Sequence, residues 1–295
     1  MSKPEKAAVP PGVGSPASAP TATQRPAAPA SSTRDVRVSP HGTAAEGVRV
    51  VQVQKSLMAH NDGVAAANRA AFRGSLVLNV VSSPGSGKTA LLERTVRELD
   101  GELSLAIVVG DLETDNDAER LHAAGAPSVQ IVTGTVCHLE AEMVARAVDQ
   151  LDLAGLDLLV IENVGNLVCP AAWDLGEDLR VAMLSVTEGE DKPLKYPRIF
   201  KDADAVIVNK IDIAAAVDFD RERALDAVRK VAPAARVFEL SARTGEGVGA
   251  WLDYLRAHRR SKAASAISAS PGMGTWGCWR LSPCLKSSRF STMSS

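Results

Sequence analysis

Leu76 to Arg94 reads LVLNVVSSPGSGKTALLER, and this stretch decides the fold. An apolar, β-branched run (Leu76, Val77, Leu78, Val80, Val81) leads into small residues and Pro84. Gly87-Lys88-Thr89 follows, and Leu91, Leu92, Val96 and Leu99 then recur at roughly helical spacing. Strand, glycine-rich turn and helix form the context in which Gly-Lys-Thr becomes a phosphate-binding loop. Gly85 and Gly87 allow the backbone to bend, so that successive N–H groups, Ser86 included, point into one concavity at a helix N-terminus. Lys88 then reaches the β- and γ-phosphates, and the Thr89 hydroxyl is placed to ligate Mg²⁺. Ser82 stands where the motif usually has its first glycine, which requires a negative φ there. The reading is a nucleotide-binding protein.

Outward from this loop, strands and helices alternate between residues 76 and 260. Apolar runs predict strands at Leu76–Val81, Leu105–Val109, Val129–Val132, Leu156–Ile161, Val181–Val186, Ala205–Val208 and Val237–Leu240, with helices such as Leu139–Leu151 and Asp218–Val231 between them. Short continuous apolar strands separated by helices predict an α/β fold, a mostly parallel sheet covered by helices on both faces. Ligands in such folds bind beyond the carboxyl ends of the strands, so strand-end residues carry the chemistry.

The remaining chain is less regular. Residues 1–46 are rich in Pro, Ala, Ser and Thr, a composition expected to stay disordered. Residues 47–75 read as a helical lead-in anchored by Val48, Val51, Leu57, Met58, Val64 and Phe72. Residues 261–295 lack periodicity and read as an irregular tail, with an altered reading frame as the alternative. The chain has 295 residues, and 33 Lys plus Arg against 35 Asp plus Glu give a net charge of -2, which makes no electrostatic case for nucleic acid. No apolar run approaches a membrane span, and no signal peptide is apparent. The four cysteines form no paired framework, so a reducing cytoplasmic compartment is expected.

At strand ends three further groups stand out. The strand AVIVNK runs into Asn209-Lys210-Ile211-Asp212. Both carboxylate oxygens of Asp212 can meet the N1–H and N2–H₂ of guanine, a donor pair that adenine lacks. Lys210 is expected to lie along the base, while Ser241-Ala242-Arg243 offers a backbone N–H to the guanine oxygen. Glu162, ending the Leu158–Ile161 run, and Gly165 suit Mg²⁺ outer-shell ligation and a γ-phosphate-sensing N–H. The acidic segment from Gly110 to Asp117 can supply a Mg²⁺ ligand and a water-orienting carboxylate. Asp111 is the first choice and Asp117 the second, although helix capping alone would also account for Asp117. Finally, Cys137 and His138 are adjacent before a helix, and Cys169 follows Glu162 in the next loop. Two thiolates and an imidazole suit Ni²⁺ or Zn²⁺ and leave one position open, fitting a metal that is handed on. Burial as an ordinary core cysteine is the alternative for either thiol.

Seven segments occurring in order, HNDGVAAANRAAF, SSPGSGKT, GDLETDNDAER, CHLEAEMV, IENVGNLVCPA, KYPRIFKDADAVIVNKID and SARTGEGV, resemble the HypB family of GTPases, which help insert nickel into [NiFe]-hydrogenases. The resemblance covers about Val51 to Leu255. It implies a SIMIBI-class P-loop fold, GTP-dependent homodimerisation, and a metal site at the dimer interface built from Cys137, His138 and Cys169. It also implies two partners, a HypA-type nickel-binding accessory protein and the hydrogenase large-subunit precursor. Some members add an N-terminal cysteine motif or histidine-rich tract, whereas residues 1–46 here contain His41 and no cysteine. No arginine finger is identifiable, so slow intrinsic turnover is expected, with catalysis resting on Lys88, Asp111 and Asp117. Three alternatives differ in class. A urease-assembly GTPase would carry Cys-Pro-His rather than contiguous Cys137-His138; a P-loop kinase has no use for a guanine clamp; a nickel-binding protein without hydrolysis does not need Lys88-Thr89.

Overall fold

The computed structural model describes residues 44–111 and 116–268. The chain order is α1 (Ala44–Ala71), β1 (Leu76–Ser82), α2 (Lys88–Leu99), β2 (Leu105–Asp111), α3 (Asn116–Ala123), β3 (Ser128–Val132), α4 (Ala141–Val148) and β4 (Leu158–Glu162). There follow β5 (Leu179–Ser185), α5 (Lys192–Lys195), α6 (Pro197–Lys201), β6 (Ala205–Asn209), α7 (Arg221–Val231), β7 (Arg236–Glu239) and α8 (Val248–Ser268). All seven expected strands form, and every pairing is parallel, in the order β3-β2-β4-β1-β5-β6-β7.

Sequence explains why β1 lies at the centre. All seven of its residues are buried, because the strand packs helices on both faces. Leu76, Leu78 and Val80 face a core shared with Leu91, Leu92, Phe238 and Trp251, while Val77 and Val81 face two cores on the opposite side. The chain leaves β1 towards β2 and β3, returns to β4, then crosses to β5 on the other side. The ends of β1 and its neighbours therefore flank a topological switch point, where such sheets bind ligands.

Two expectations change. The helix α8 runs eight residues beyond the boundary expected at 260, because Arg259 pairs with Asp157 at 2.9 Å and Lys262 with Asp178 at 2.5 Å. The rest of the expected irregular tail, and residues 1–43 of the expected disordered one, lie outside the described residues. In α1, Leu57 is exposed rather than an anchor. The buried stripe is Asn61, Ala65, Asn68 and Phe72, spaced by four, three and four residues along one helix face. The side chains of Val48 and Val51 lie outside the described set.

Candidate functional site

The loop after β1 takes the conformation its glycines permit. Gly85 and Gly87 have φ of 73° and 95°, in the left-handed region, whereas Ser82 is not among the residues with positive φ. Serine therefore replaces the motif's first glycine without strain. Its hydroxyl accepts hydrogen bonds from Ser86 Oγ at 2.6 Å and from Lys88 Nζ at 3.0 Å. Lys88 opens α2, so its ammonium and the helix N-terminus face one cleft of about 420 Å³. Burial pulls the Lys88 pKa down, against the opposing field of Glu162.

Asp111, Asp117, Glu162 and Gly165 line this cleft together with Lys88 and Thr89, as expected. Glu162 ends β4 fully buried; its Oε1 accepts from Thr89 Oγ1 at 2.8 Å and its Oε2 has no hydrogen-bond partner. A buried, unpartnered carboxylate oxygen beside a threonine hydroxyl and two further carboxylates is a hard-oxygen donor set, so the residues present fit Mg²⁺. Desolvation pushes the Glu162 pKa up to about 7, although Lys88 and the Thr89 hydrogen bond pull it down. A carboxyl group ligates only when ionised. The Mg²⁺ concentration giving half-maximal turnover should therefore rise as pH falls from 8 to 6, and Glu162→Gln should flatten that dependence. Magnesium titrations of phosphate release at several pH values check this, and a pH-independent Mg²⁺ requirement in the wild type contradicts it.

Arg120 also lines the cleft, a cation that the sequence reading missed because it lies nine residues beyond Asp111 on a separate helix. Its guanidinium contacts Glu93 at 2.8 Å and Asp117 at 3.4 Å. Asp117 thus serves the cleft from the first turn of α3. Residues 112–115 of the acidic segment lie outside the described residues. Gly165 approaches the phosphate loop so closely that a Cβ there would lie 3.1 Å from the Pro84 backbone. The β4 loop and the phosphate loop are therefore in direct contact.

At the guanine end the structure corrects part of the expectation. Asn209 donates to Ser86 O at 2.9 Å, and Lys210, at φ 65°, donates through Nζ to Gly85 O at 2.7 Å. Both residues join the base loop to the phosphate loop. In this structure the Ala242 N–H donates to Asn209 Oδ1 at 3.0 Å. The Ser241 N–H donates to Glu246 O, and the Ser241 hydroxyl instead holds Asp212 Oδ1 at 2.6 Å. Arg243, the third residue of that segment, pairs with Asp212 Oδ2 at 2.7 Å, and the Ser241 and Arg243 partners hold the Asp212 carboxyl below the usual range. Asp212 is thereby kept ionised, the form a guanine edge requires.

The third group converges as its residue types suggested. Cys137 Sγ and Cys169 Sγ are 2.9 Å apart, and with a His138 nitrogen the three donor atoms lie within 4.8 Å of one another. Both His138 nitrogens are buried; Nδ1 has no hydrogen-bond partner, and Nε2 has the Glu140 carboxylate 3.6 Å away, beyond hydrogen-bond distance. Burial lowers the His138 pKa, favouring the neutral imidazole that ligates metal, while the Cys137 hydrogen bond and burial raise that of the Cys169 thiol. The His138 ring stacks on Trp173 with centroids 4.5 Å apart and planes 16° from parallel. Trp173 was not found from sequence, since its spacing from Cys169 matches no ligand pattern. Two soft thiols and an imidazole fit a borderline divalent ion.

Comparison with known proteins shows what this chain resembles as a whole. Residues 76–239 match the CobW/HypB/UreG nucleotide-binding domain family. The hydrogenase maturation factor HypB of Azotobacter chroococcum mcd 1 is 52% identical over 225 residues, covering 75% of this chain and 73% of that protein. Among solved structures, HypB from Helicobacter pylori in complex with nickel superposes with a TM-score of 0.66 at 40% identity, covering 69% of this chain and 97% of that one. HypB from Archaeoglobus fulgidus gives 0.64 at 39% identity, covering 68% and 99%. With a P-loop, a guanine-type clamp and a two-thiol, one-imidazole cluster on one parallel sheet, this chain belongs to the HypB family of hydrogenase maturation factors.

Proposed function

We propose that this protein is a GTP-hydrolysing nickel metallochaperone, converting GTP and water to GDP and phosphate and delivering Ni²⁺ to a [NiFe]-hydrogenase during its maturation. The observation that carries this reading is the convergence of Cys137, His138 and Cys169 at one end of the connection whose other end holds Glu162 and Gly165. Among the described residues no helix is long and apolar enough to cross a membrane, which is compatible with a cytoplasmic setting. A HypA-type nickel-binding accessory protein and the hydrogenase large-subunit precursor are the partners this reading calls for.

Hydrolysis rests mainly on positioning and charge. Lys88 and the backbone N–H groups of residues 85–88 hold the β- and γ-phosphates, while Asp212 fixes the guanine so that the γ-phosphorus is presented at the cleft. Thr89, Asp111 and Glu162 would hold Mg²⁺, which neutralises charge on the phosphate oxygens. Asp111 or Asp117 orients the attacking water. With phosphate positioning as the main source of rate, turnover is slow, as suits a switch.

The switch follows from one short connection. Gly165 rests on Pro84 of the phosphate loop, and Cys169 lies four residues further on. A γ-phosphate that repositions Gly165 displaces the Cys169 thiol relative to Cys137 and His138, and the stronger homodimer forms with GTP. By linkage, nucleotide and metal must alter each other's affinity equally. Ni²⁺ or Zn²⁺ should therefore bind the GDP and GTP-analogue states with affinities differing by about fivefold or more. Cys137→Ala and Cys169→Ala should each remove this difference with little change in GTP affinity. Metal titrations in both nucleotide states, on wild type and both variants, test the proposal; equal affinities would defeat it.

A further inference from the structure

Helix α1 reaches the metal cluster through two buried amides. Asn61 and Asn68 lie seven residues apart on one face of α1 and are only 5% and 4% exposed. Asn61 Oδ1 accepts from the Ala141 N–H at 2.9 Å, while its Nδ2 donates to Asp174 O at 2.8 Å. Asn68 Nδ2 donates to both Ala141 O at 2.8 Å and Leu175 O at 3.1 Å.

These four bonds join the two arms of the cluster. Ala141 opens α4, three residues after His138, and its N–H is one of the donors that a helix N-terminus leaves unpaired. The neighbouring cap residue, Glu140, makes no side-chain capping bond. Asn61 supplies that bond from a separate helix. Asp174 and Leu175 directly follow Trp173, whose ring stacks on His138, in the segment that begins at Cys169. Each amide touches both arms, so the two side chains act as rungs of fixed length between them. Gly176 shows how close the packing is: a Cβ there would lie 2.7 Å from Asn68 Cβ and 2.8 Å from Ala65 O. Arg69 adds a bidentate pair with Asp174 at 2.8 and 3.0 Å.

We propose that Asn61 and Asn68 are positioning residues of the metal site, holding the Cys137-His138 segment and the Cys169 segment at the separation at which their donor atoms converge. The inference rests on the reading of that cluster as a nickel site. Neither amide reaches the metal; each acts through backbone groups on both sides of it. Interactions that orient ligands in this indirect way typically change metal affinity by about 10- to 100-fold.

The full-length protein can be titrated with Ni²⁺ while following the near-ultraviolet thiolate-to-nickel charge-transfer band. Asn61→Ala and Asn68→Ala should each weaken binding by about tenfold or more and alter the band. GTP turnover in nickel-free buffer containing Mg²⁺ reports whether each variant folds. The isosteric aspartates add a readout that a general packing defect would not give. Asn61→Asp keeps the acceptor for the Ala141 N–H, whereas Asn68→Asp loses both donors, so Asn68→Asp should lose the more affinity. Should either alanine variant fail to fold, that aspartate order decides. Wild-type affinity and band shape in folded variants, or the reverse order of the aspartates, would overturn the proposal. Absence of the band in wild-type protein, or its survival when Cys137 and Cys169 are both replaced by alanine, would instead overturn the nickel-site reading beneath it.

Discussion

Lys88→Ala lowers GTP turnover by about 10²- to 10³-fold, the effect of removing one preorganised partner of a developing phosphoryl charge. The ammonium is almost wholly buried at the start of α2, with Ser82 Oγ at 3.0 Å, so it is fixed before nucleotide arrives. Among the cleft-lining cations, Arg120 leans on Glu93 and Asp117, and Lys210 is bonded to Gly85 O. Neither replaces an ammonium at the phosphates. Nucleotide affinity falls as well, because the charge-assisted contact to the β- and γ-oxygens is already made in the ground state. Single-turnover phosphate release and a nucleotide titration measure the two losses separately. A decrease in turnover of less than tenfold would remove Lys88 from the catalytic group.

Asp212→Asn reverses the choice of base. The wild-type carboxylate presents two acceptors to the adjacent N1–H and N2–H₂ of guanine; an amide presents one acceptor and one donor, which matches xanthine. Leaving buried donors unpaired costs on the order of a few kcal/mol, so GTP affinity should fall about 100-fold or more while xanthosine triphosphate gains. Arg243 provides the control. Its guanidinium is exposed and pairs with Asp212 Oδ2, so water screens much of its charge when it pairs with the carboxylate. Arg243→Ala should therefore retain the preference for guanine. Competition between GTP, ATP and xanthosine triphosphate decides the assignment, and ATP binding comparable to GTP in wild-type protein would refute it.

How far the sequence disclosed this molecule depended on the kind of interaction involved. The seven strands were legible because each is a short apolar run punctuated by turn residues, the central five (β2, β4, β1, β5 and β6) being almost wholly buried. Their observed limits differ from the expected ones by at most two residues. The phosphate loop was legible because Gly85 and Gly87 occupy backbone conformations that other residues avoid. Helix α1 was half legible. Apolar periodicity pointed to Leu57, which faces solvent, and passed over Asn61 and Asn68, which are buried because distant backbone groups satisfy them. Hydrophobic pattern carries no record of a partner 80 residues away. The same holds for Ala242, whose N–H was assigned to guanine yet serves Asn209, and for Trp173, whose partner His138 lies on another loop. The extension of α8 depends on Lys262 finding Asp178, a long-range pair with no local signal.

The contact between the phosphate and base loops limits what this site can become. At Gly87 a Cβ would lie 2.5 Å from Asn209 Nδ2, and φ there is 95°. Asn209 and Lys210 in turn bond to carbonyls of residues 86 and 85. Phosphate grip and base-loop placement are thus one mechanical unit, inherited together. A substitution at Asn209 disturbs catalysis even when only the base was intended to change, and a phosphate loop transplanted from a relative needs its own Asn209 counterpart. Asp212 stands outside that unit, bonded to Ser241 and Arg243 alone among the described side chains. A lineage, or a protein engineer, is therefore free to alter which base is accepted at Asp212 without rebuilding the machinery that holds its phosphates.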